Sequence, residues 1–126
     1  MLNPEIRFIS FGFKHGIPAA ADIVLDVRFL DNPFYLPALK EKTGLDSDVQ
    51  AFVLKDDSAQ EFLRRLYALL DHMLPLYTYK GRKRLTVAFA CTGGRHRSVT
   101  VAETVAAYLR QQGRSVTVCH RDIDKK

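Results

Sequence analysis

One stretch restricts the fold more than any other. Leu85 to Cys91 (LTVAFAC) is an almost continuous apolar run that passes into Thr-Gly-Gly-Arg-His-Arg-Ser and from there directly into a helical pattern. A run of this kind suits a strand covered on both faces, as strands of a parallel sheet are. From about Ser98, Val99, Ala102, Val105, Ala106 and Leu109 recur at helical spacing, and Gly113 supplies a glycine just past the helix end. Val116 to Cys119 then reads as a short strand. Strand, loop, helix, strand is a βαβ unit, whose crossover makes its two strands parallel and its path right-handed. The chain is therefore predicted to be α/β: a single three-layer domain over residues 1–126, with a small, mostly parallel sheet flanked by helices.

The remaining elements are read in the same way. Phe8 to Phe13 and Ile23 to Phe29 are predicted strands, bounded by glycines or rich in β-branched residues. Pro37 and Gly44 break residues 34–55, leaving a short helix that starts at Ser47 or Asp48 and runs towards Leu54. Ser58 and Glu61 have the spacing of a capping box. Phe62, Leu66, Leu69, Leu70 and Met73 follow on one helical face, which is predicted to end at Pro75 with His72 at the margin of the buried side. No apolar run approaches the roughly 20 residues of a membrane span. The opening Met1-Leu2-Asn3-Pro4 lacks the features of an export leader, so a cytoplasmic address is expected. Two cysteines, Cys91 and Cys119, make no disulfide framework.

Charge is unevenly spread. Residues 1–79 carry 8 Lys and Arg against 11 Asp and Glu, a balance of −3, whereas residues 80–126 carry 11 against 3, a balance of +8. Such a bias favours anionic partners. If all four strands run one way, their C-terminal ends share the edge at which open α/β sheets bind ligands. Lys14, His15 and Gly16, then Arg28, Asp31 and Asn32, then Thr92 to Arg97, then His120, Arg121 and Asp122 would gather there.

The loop itself is built for an anion. Gly93 and Gly94 let successive N–H groups turn inward, and the following helix adds unpaired N–H groups and the positive end of its dipole. Arg95 and Arg97 add charge, Arg97 with a planar fork, and Thr92 and Ser98 add hydroxyls. A Walker loop is excluded, because no lysine precedes the terminal serine. Cys91, five intervening residues, Arg97 and Ser98 match the C-x5-R-[ST] spacing of cysteine-dependent phosphatases, in which the thiolate attacks phosphorus. The alternative use is recognition without turnover. His15, His96, His120 and Cys91 show none of the close pairings of a metal site, so neither a metal nor a cofactor is expected. Phe34 and Tyr35 can stack on a sugar or base, and Lys80, Arg82, Lys83 and Arg84, read as a loop, can contact a nucleic-acid backbone without reading sequence.

FGFKHG (11–16), DVRFLDNPFY (26–35), TGLD (43–46), CTGGRHRS (91–98) and HRD (120–122), in this order, make the chain resemble the C-terminal domain of the RapZ family of RNase adapter proteins. The resemblance covers nearly the whole chain and implies a bacterial cytoplasmic module that binds an amino-sugar phosphate and structured small RNA without turnover. It places ligand contacts at His15, Thr92, Gly93, Gly94, His96 and Arg97, with Lys14, Arg28, Asn32 and Arg121 beside them, and sets Lys125 and Lys126 in the position of the family's basic, RNA-binding tail. Family members carry an N-terminal Walker-type, kinase-like domain. Self-association and a separate kinase-like partner chain are further expectations.

Overall fold

The computed structural model describes residues 3–126; the reading of Met1 and Leu2 as the start of a chain without a leader lies outside them. Four strands, β1 (Glu5–Gly12), β2 (Ile23–Asp26), β3 (Arg84–Cys91) and β4 (Val116–His120), form one parallel sheet in the order β2-β3-β1-β4. Three helices, α1 (Ser47–Val53), α2 (Asp57–Tyr79) and α3 (Arg97–Gln111), complete the α/β domain. None is long and apolar enough to cross a membrane.

Topology decides which face each connection covers. The paths β2 to β3 and β3 to β4 both move in one direction across the sheet, so right-handed crossovers put α1, α2 and α3 on the same side. There Ile6, Phe8, Leu85, Val87 and Phe89 meet Leu63, Leu66, Leu70 and Leu74 of α2 and Val101, Val105 and Leu109 of α3 in the main core. The path β1 to β2 moves the other way and lies on the opposite face. Its layer is thin, a segment with one 3-10 turn at Phe13–His15, whose Phe13 and Ala21 pack on Ile9, Phe11, Ala88 and Ala90. β3 is central and buried at every position but Arg84, as its unbroken apolar run requires.

Several boundaries differ from the sequence expectation, each for a local reason. β1 begins at Glu5 and stops at Gly12, where the 3-10 turn takes over. β2 stops at Asp26 rather than Phe29: the Asp26 carboxylate accepts the Arg28 N–H at 2.9 Å and the Leu30 N–H bonds back to the Val27 carbonyl, curling the chain off the sheet. Asp56, not Ser58, caps α2, accepting the Ala59 N–H at 2.8 Å, while Glu61 pairs along the helix with Arg64 and Arg65. The helix runs through Pro75 to Tyr79, because the proline sits on the exposed face and the buried Leu74 holds the next turn against the core. His72 is exposed rather than at the core margin. α3 ends as expected: Arg114 N–H bonds the Leu109 carbonyl and Gly113 N–H the Arg110 carbonyl, a Schellman closure.

Candidate functional site

All four strands end at one edge, and the β3–α3 loop is the centre of it. Three of its carbonyls are occupied: Thr92 accepts from Lys14 N–H at 3.3 Å, Arg95 from Gly44 N–H at 2.8 Å, and His96, at the start of α3, from Thr100 N–H at 3.0 Å. None of the backbone hydrogen bonds outside helices and strands uses an N–H of residues 93–97 as donor, among the described residues. A run of N–H groups left without backbone acceptors is what an anion nest requires, and α3 adds the positive end of a 15-residue helix beside it.

The loop holds this shape by interlocking with β1. Gly94 has φ +82°, and a Cβ there would lie 2.5 Å from the Gly12 nitrogen; a Cβ on Gly12 would lie 2.3 Å from the Gly93 carbonyl carbon. Behind them the fully buried Asp122 accepts the Gly12 N–H at 2.9 Å and pairs with Arg121 at 2.8 Å and Lys125 at 2.7 Å. Burial pushes this carboxyl up, but hydrogen bonds from Arg121, Gly12 and Lys125 outweigh it and hold the group far below the usual carboxylate range. A group depressed on folding contributes stability that is complete above its unfolded pKa of about 3.9 and is lost as pH falls through the folded value. Asp122→Asn is therefore expected to flatten the acid limb of the stability curve below pH ~4 and to cost roughly 2 kcal/mol at neutral pH. Urea unfolding at a series of pH values checks both.

Arg97 is 5% exposed, and its orientation is imposed. Nη1 donates to the carbonyls of Arg28 at 2.7 Å and Leu30 at 3.2 Å, pinning the guanidinium to the β2 exit. Nε is buried and has no partner among the described residues, and Nη2 makes only a 3.5 Å contact with Thr92 Oγ1. The Nε–Nη2 edge, the bidentate fork, is thus unused on a side chain that lines the cleft.

That cleft has a volume of about 370 Å³. Of the residues predicted from sequence it collects Asn32, Thr92, Gly93, Arg95, His96 and Arg97, with Lys14, Phe34, Tyr35 and Cys91 on its walls. Lys125 and Lys126 line it too, rather than a separate surface. Lys40 and Glu41 join them, and neither was picked out from the sequence; the charged run Lys40-Glu41-Lys42 beyond Pro37 was the available signal. Six cationic side chains therefore surround one carboxylate, and that carboxylate, Glu41, is held by Lys126 at 3.3 Å.

Other predicted residues stand back from the cleft. Arg28 is bound to Asp26 through two guanidinium nitrogens and lies over the Phe13 ring at 4.4 Å. Arg121 is spent on Asp122 and on the Gly16 and His15 carbonyls. His15 is half-buried, its Nε2 without a partner among the described residues. Gly94 is the wedge described above, and Ser98 turns inward to Cys91, whose thiol donates to its hydroxyl at 3.2 Å. His96 is buried and donates Nε2–H to the Lys40 carbonyl at 3.1 Å. Burial, with the charges of Arg95 and Arg97 beside it, keeps this ring below its ordinary pKa against the pull of the Lys42 and Lys40 carbonyls, which favours the neutral form. At the far end of β3, Arg84 opens the strand and pairs with Glu5, and Arg82 pairs with Asp22. That group, with Lys80 and Lys83, is roughly 23 Å from the loop at the rise of a strand.

The model of the RapZ C-terminal domain matches residues 4–124. The chain belongs to the RapZ C-terminal domain family. Among similar proteins, a nucleotide-binding protein of Desulforapulum autotrophicum is 50% identical over 124 residues, covering 98% of this chain and 42% of that one. Nucleotide-binding proteins of Heliobacterium modesticaldum and Limosilactobacillus fermentum are each 51% identical, over 121 and 120 residues, covering 96% and 95% of this chain and 40% and 42% of theirs. The chain thus spans about two fifths of the length of these relatives. In this RapZ-type domain the CTGGRHRS segment is the amide-lined loop between β3 and α3.

Proposed function

We propose that the domain is a non-catalytic regulatory module that recognises the phosphate of a phosphorylated small molecule, of the sugar-phosphate class, in the cleft over the β3–α3 loop. The observation that carries this reading is a row of N–H groups at 93–97 without backbone acceptors outside helices and strands, next to an Arg97 whose Nε has no partner among the described residues and whose Nη2 makes only a 3.5 Å contact with Thr92. Donors fixed in advance around a tetrahedral anion lose little on binding it. Asn32 and Glu41, which also line the cleft, suit the hydroxyl or ammonium groups of an amino sugar, and Tyr35 and Phe34 suit its ring. The relatives' name, nucleotide-binding protein, fits the same cup, since a nucleotide offers the same phosphate. RNA binding rides on the cationic rim of the cleft, where Lys14 and Lys40 stand beside Lys125 and Lys126.

A thermal-shift screen with amino-sugar phosphates, other sugar phosphates, nucleotides and inorganic phosphate tests the reading. A ligand held by the native state alone at 100 times its Kd adds about 2.7 kcal/mol, a rise of several degrees for a domain of this size. Phosphate esters are expected to give it and the unphosphorylated sugars none; no shift with any phosphate rejects the reading. The 3.2 Å contact between Cys91 and Ser98 at C-x5-R spacing favours a second reading, a cysteine-dependent phosphatase. Hydrolysis of an aryl phosphate that disappears in Cys91→Ser would replace the first reading with the second.

A further inference from the structure

Arg97 is held by a surface turn, and that turn is itself held by one side chain. Nη1 donates to the carbonyls of Arg28 at 2.7 Å and Leu30 at 3.2 Å, and no other hydrogen bond of the guanidinium among the described residues is shorter than 3.5 Å. Both carbonyls belong to the turn that follows β2. Peptides in such a turn tilt freely unless something fixes them. Here Asp26, the last residue of β2, does so: its Oδ1 accepts the Arg28 N–H at 2.9 Å, an Asx turn in which a side chain holds the amide two residues ahead. The same carboxylate takes Arg28 Nε at 3.0 Å and Nη2 at 2.7 Å, with the guanidinium lying over the Phe13 ring. Arg28 is thus fixed through its amide and through its side chain. The Leu30 N–H closes the turn on the Val27 carbonyl at 3.2 Å, and the Arg28 and Leu30 carbonyls are left facing Arg97.

Charge alone gives Asp26 the opposite effect. The Arg28 guanidinium bonded to it, and Arg97 more weakly, hold the carboxyl below its ordinary range, so it is ionised at neutral pH. An ionised carboxylate near a phosphate site repels the ligand. Nor does Asp26 line the cleft, so it makes no contact that would offset the repulsion. What it supplies is geometry. We propose that Asp26 is a positioning residue: by shaping the β2 exit it holds Arg97 with the Nε–Nη2 edge free for the anion. The proposal rests on the phosphate reading of the cleft and adds the side chain that prepares the fork before the ligand arrives.

Isothermal titration with inorganic phosphate, together with the Arg97 Nε–H resonance of the unliganded chain, tests this on Asp26→Ala and Asp26→Asn. Asparagine keeps an oxygen that can accept the Arg28 N–H; alanine does not. Asp26→Ala is expected to bind phosphate about 10-fold more weakly although it removes a negative charge, and to broaden the Nε–H resonance. Asp26→Asn is expected to bind within about 3-fold of the parent chain and to keep the resonance sharp. Beside Arg97→Lys, Asp26→Ala is expected to cost less than about two-fold more, because the fork it prepares is already gone. The Asp26 side chain is 45% exposed at the end of an edge strand, so unchanged far-UV circular dichroism is expected of both variants. Should the alanine variant not fold, an asparagine variant that binds like the parent sustains the proposal and one weakened about 10-fold overturns it. An alanine variant that binds as tightly as the parent, a resonance indifferent to it, an asparagine variant as weak as alanine, or an undiminished loss beside Arg97→Lys also overturns it. If the parent chain itself bound no phosphate, the reading of the cleft would fall, and the Nε–H resonance would still decide the role of Asp26.

Discussion

Gly94→Ala is expected to unfold the domain or lower its melting temperature by more than 10 °C, and to abolish phosphate binding in whatever folded fraction remains. The new Cβ would lie 2.5 Å from the Gly12 nitrogen, 2.8 Å from the Phe11 carbonyl carbon and 2.9 Å from Asp122 Cβ. Two of these are main-chain atoms of β1, which is hydrogen-bonded to β3 on one side and β4 on the other and has nowhere to move. To the clash is added the cost of holding alanine at φ +82°, about 1–2 kcal/mol. Overpacking against main chain adds roughly 1–3 kcal/mol more. Gly93 supplies the contrast. A Cβ there meets nothing nearer than Lys14 Cε at 4.0 Å, so Gly93→Ala is expected to keep its stability within about 1 kcal/mol while losing phosphate affinity, since the added methyl stands beside the amides. Calorimetric melting and isothermal titration on both variants separate the wedge from the cradle.

Arg97 carries the second large effect. Arg97→Met removes the donor that satisfies the Arg28 and Leu30 carbonyls as well as the unused fork. A loss of roughly 2–4 kcal/mol in stability is expected from the buried acceptors left behind, together with at least a 100-fold loss of phosphate affinity. Arg97→Lys keeps the charge but has no planar pair of donors, and an ammonium cannot reach the carbonyls and an anion in the same geometry. Its expected signature is an intermediate stability and an affinity lowered about 10- to 100-fold. If Arg97→Lys bound phosphate as tightly as the parent chain, the fork would have no part in recognition.

How much of this was legible in the residues depends on how local the cause is. The β3–loop–α3–β4 unit could be read because an unbroken apolar run, two glycines, a helical repeat and a closing glycine all lie within 35 residues, and each acts on its own neighbourhood. The end of β2 could not, because Val27 and Leu25 look the same in sequence, and only the Asp26 carboxylate turning onto Arg28 breaks the strand. Pro75 misled for the opposite reason: packing of Leu74 holds the helix together where local preference would end it.

The site shows the same division. Gathering of cations at the C-terminal edge follows from parallel topology alone, so Thr92 to Arg97, Asn32 and Lys14 could be placed there from sequence. Which of the cations keep a free charge is a matter of non-local partners. Arg28 and Arg121 reach that edge and are taken up by Asp26 and Asp122, Lys126 reaches the cleft paired with Glu41, and Lys40 arrives there from a segment with no clear pattern. The position of β1 between β3 and β4, which puts Gly12 against Gly94, is likewise invisible in any short window.

The central claim is that the main chain of residues 93–97 binds the phosphate. The most direct measurement is a titration of inorganic phosphate and a sugar phosphate followed by amide 1H–15N spectra. Saturable downfield shifts of the Gly93 to Arg97 amides and of the Arg97 Nε–H, with β4 and the C-terminal half of α2 unmoved, are the result this account predicts. Saturable shifts elsewhere with these six resonances unchanged would contradict it.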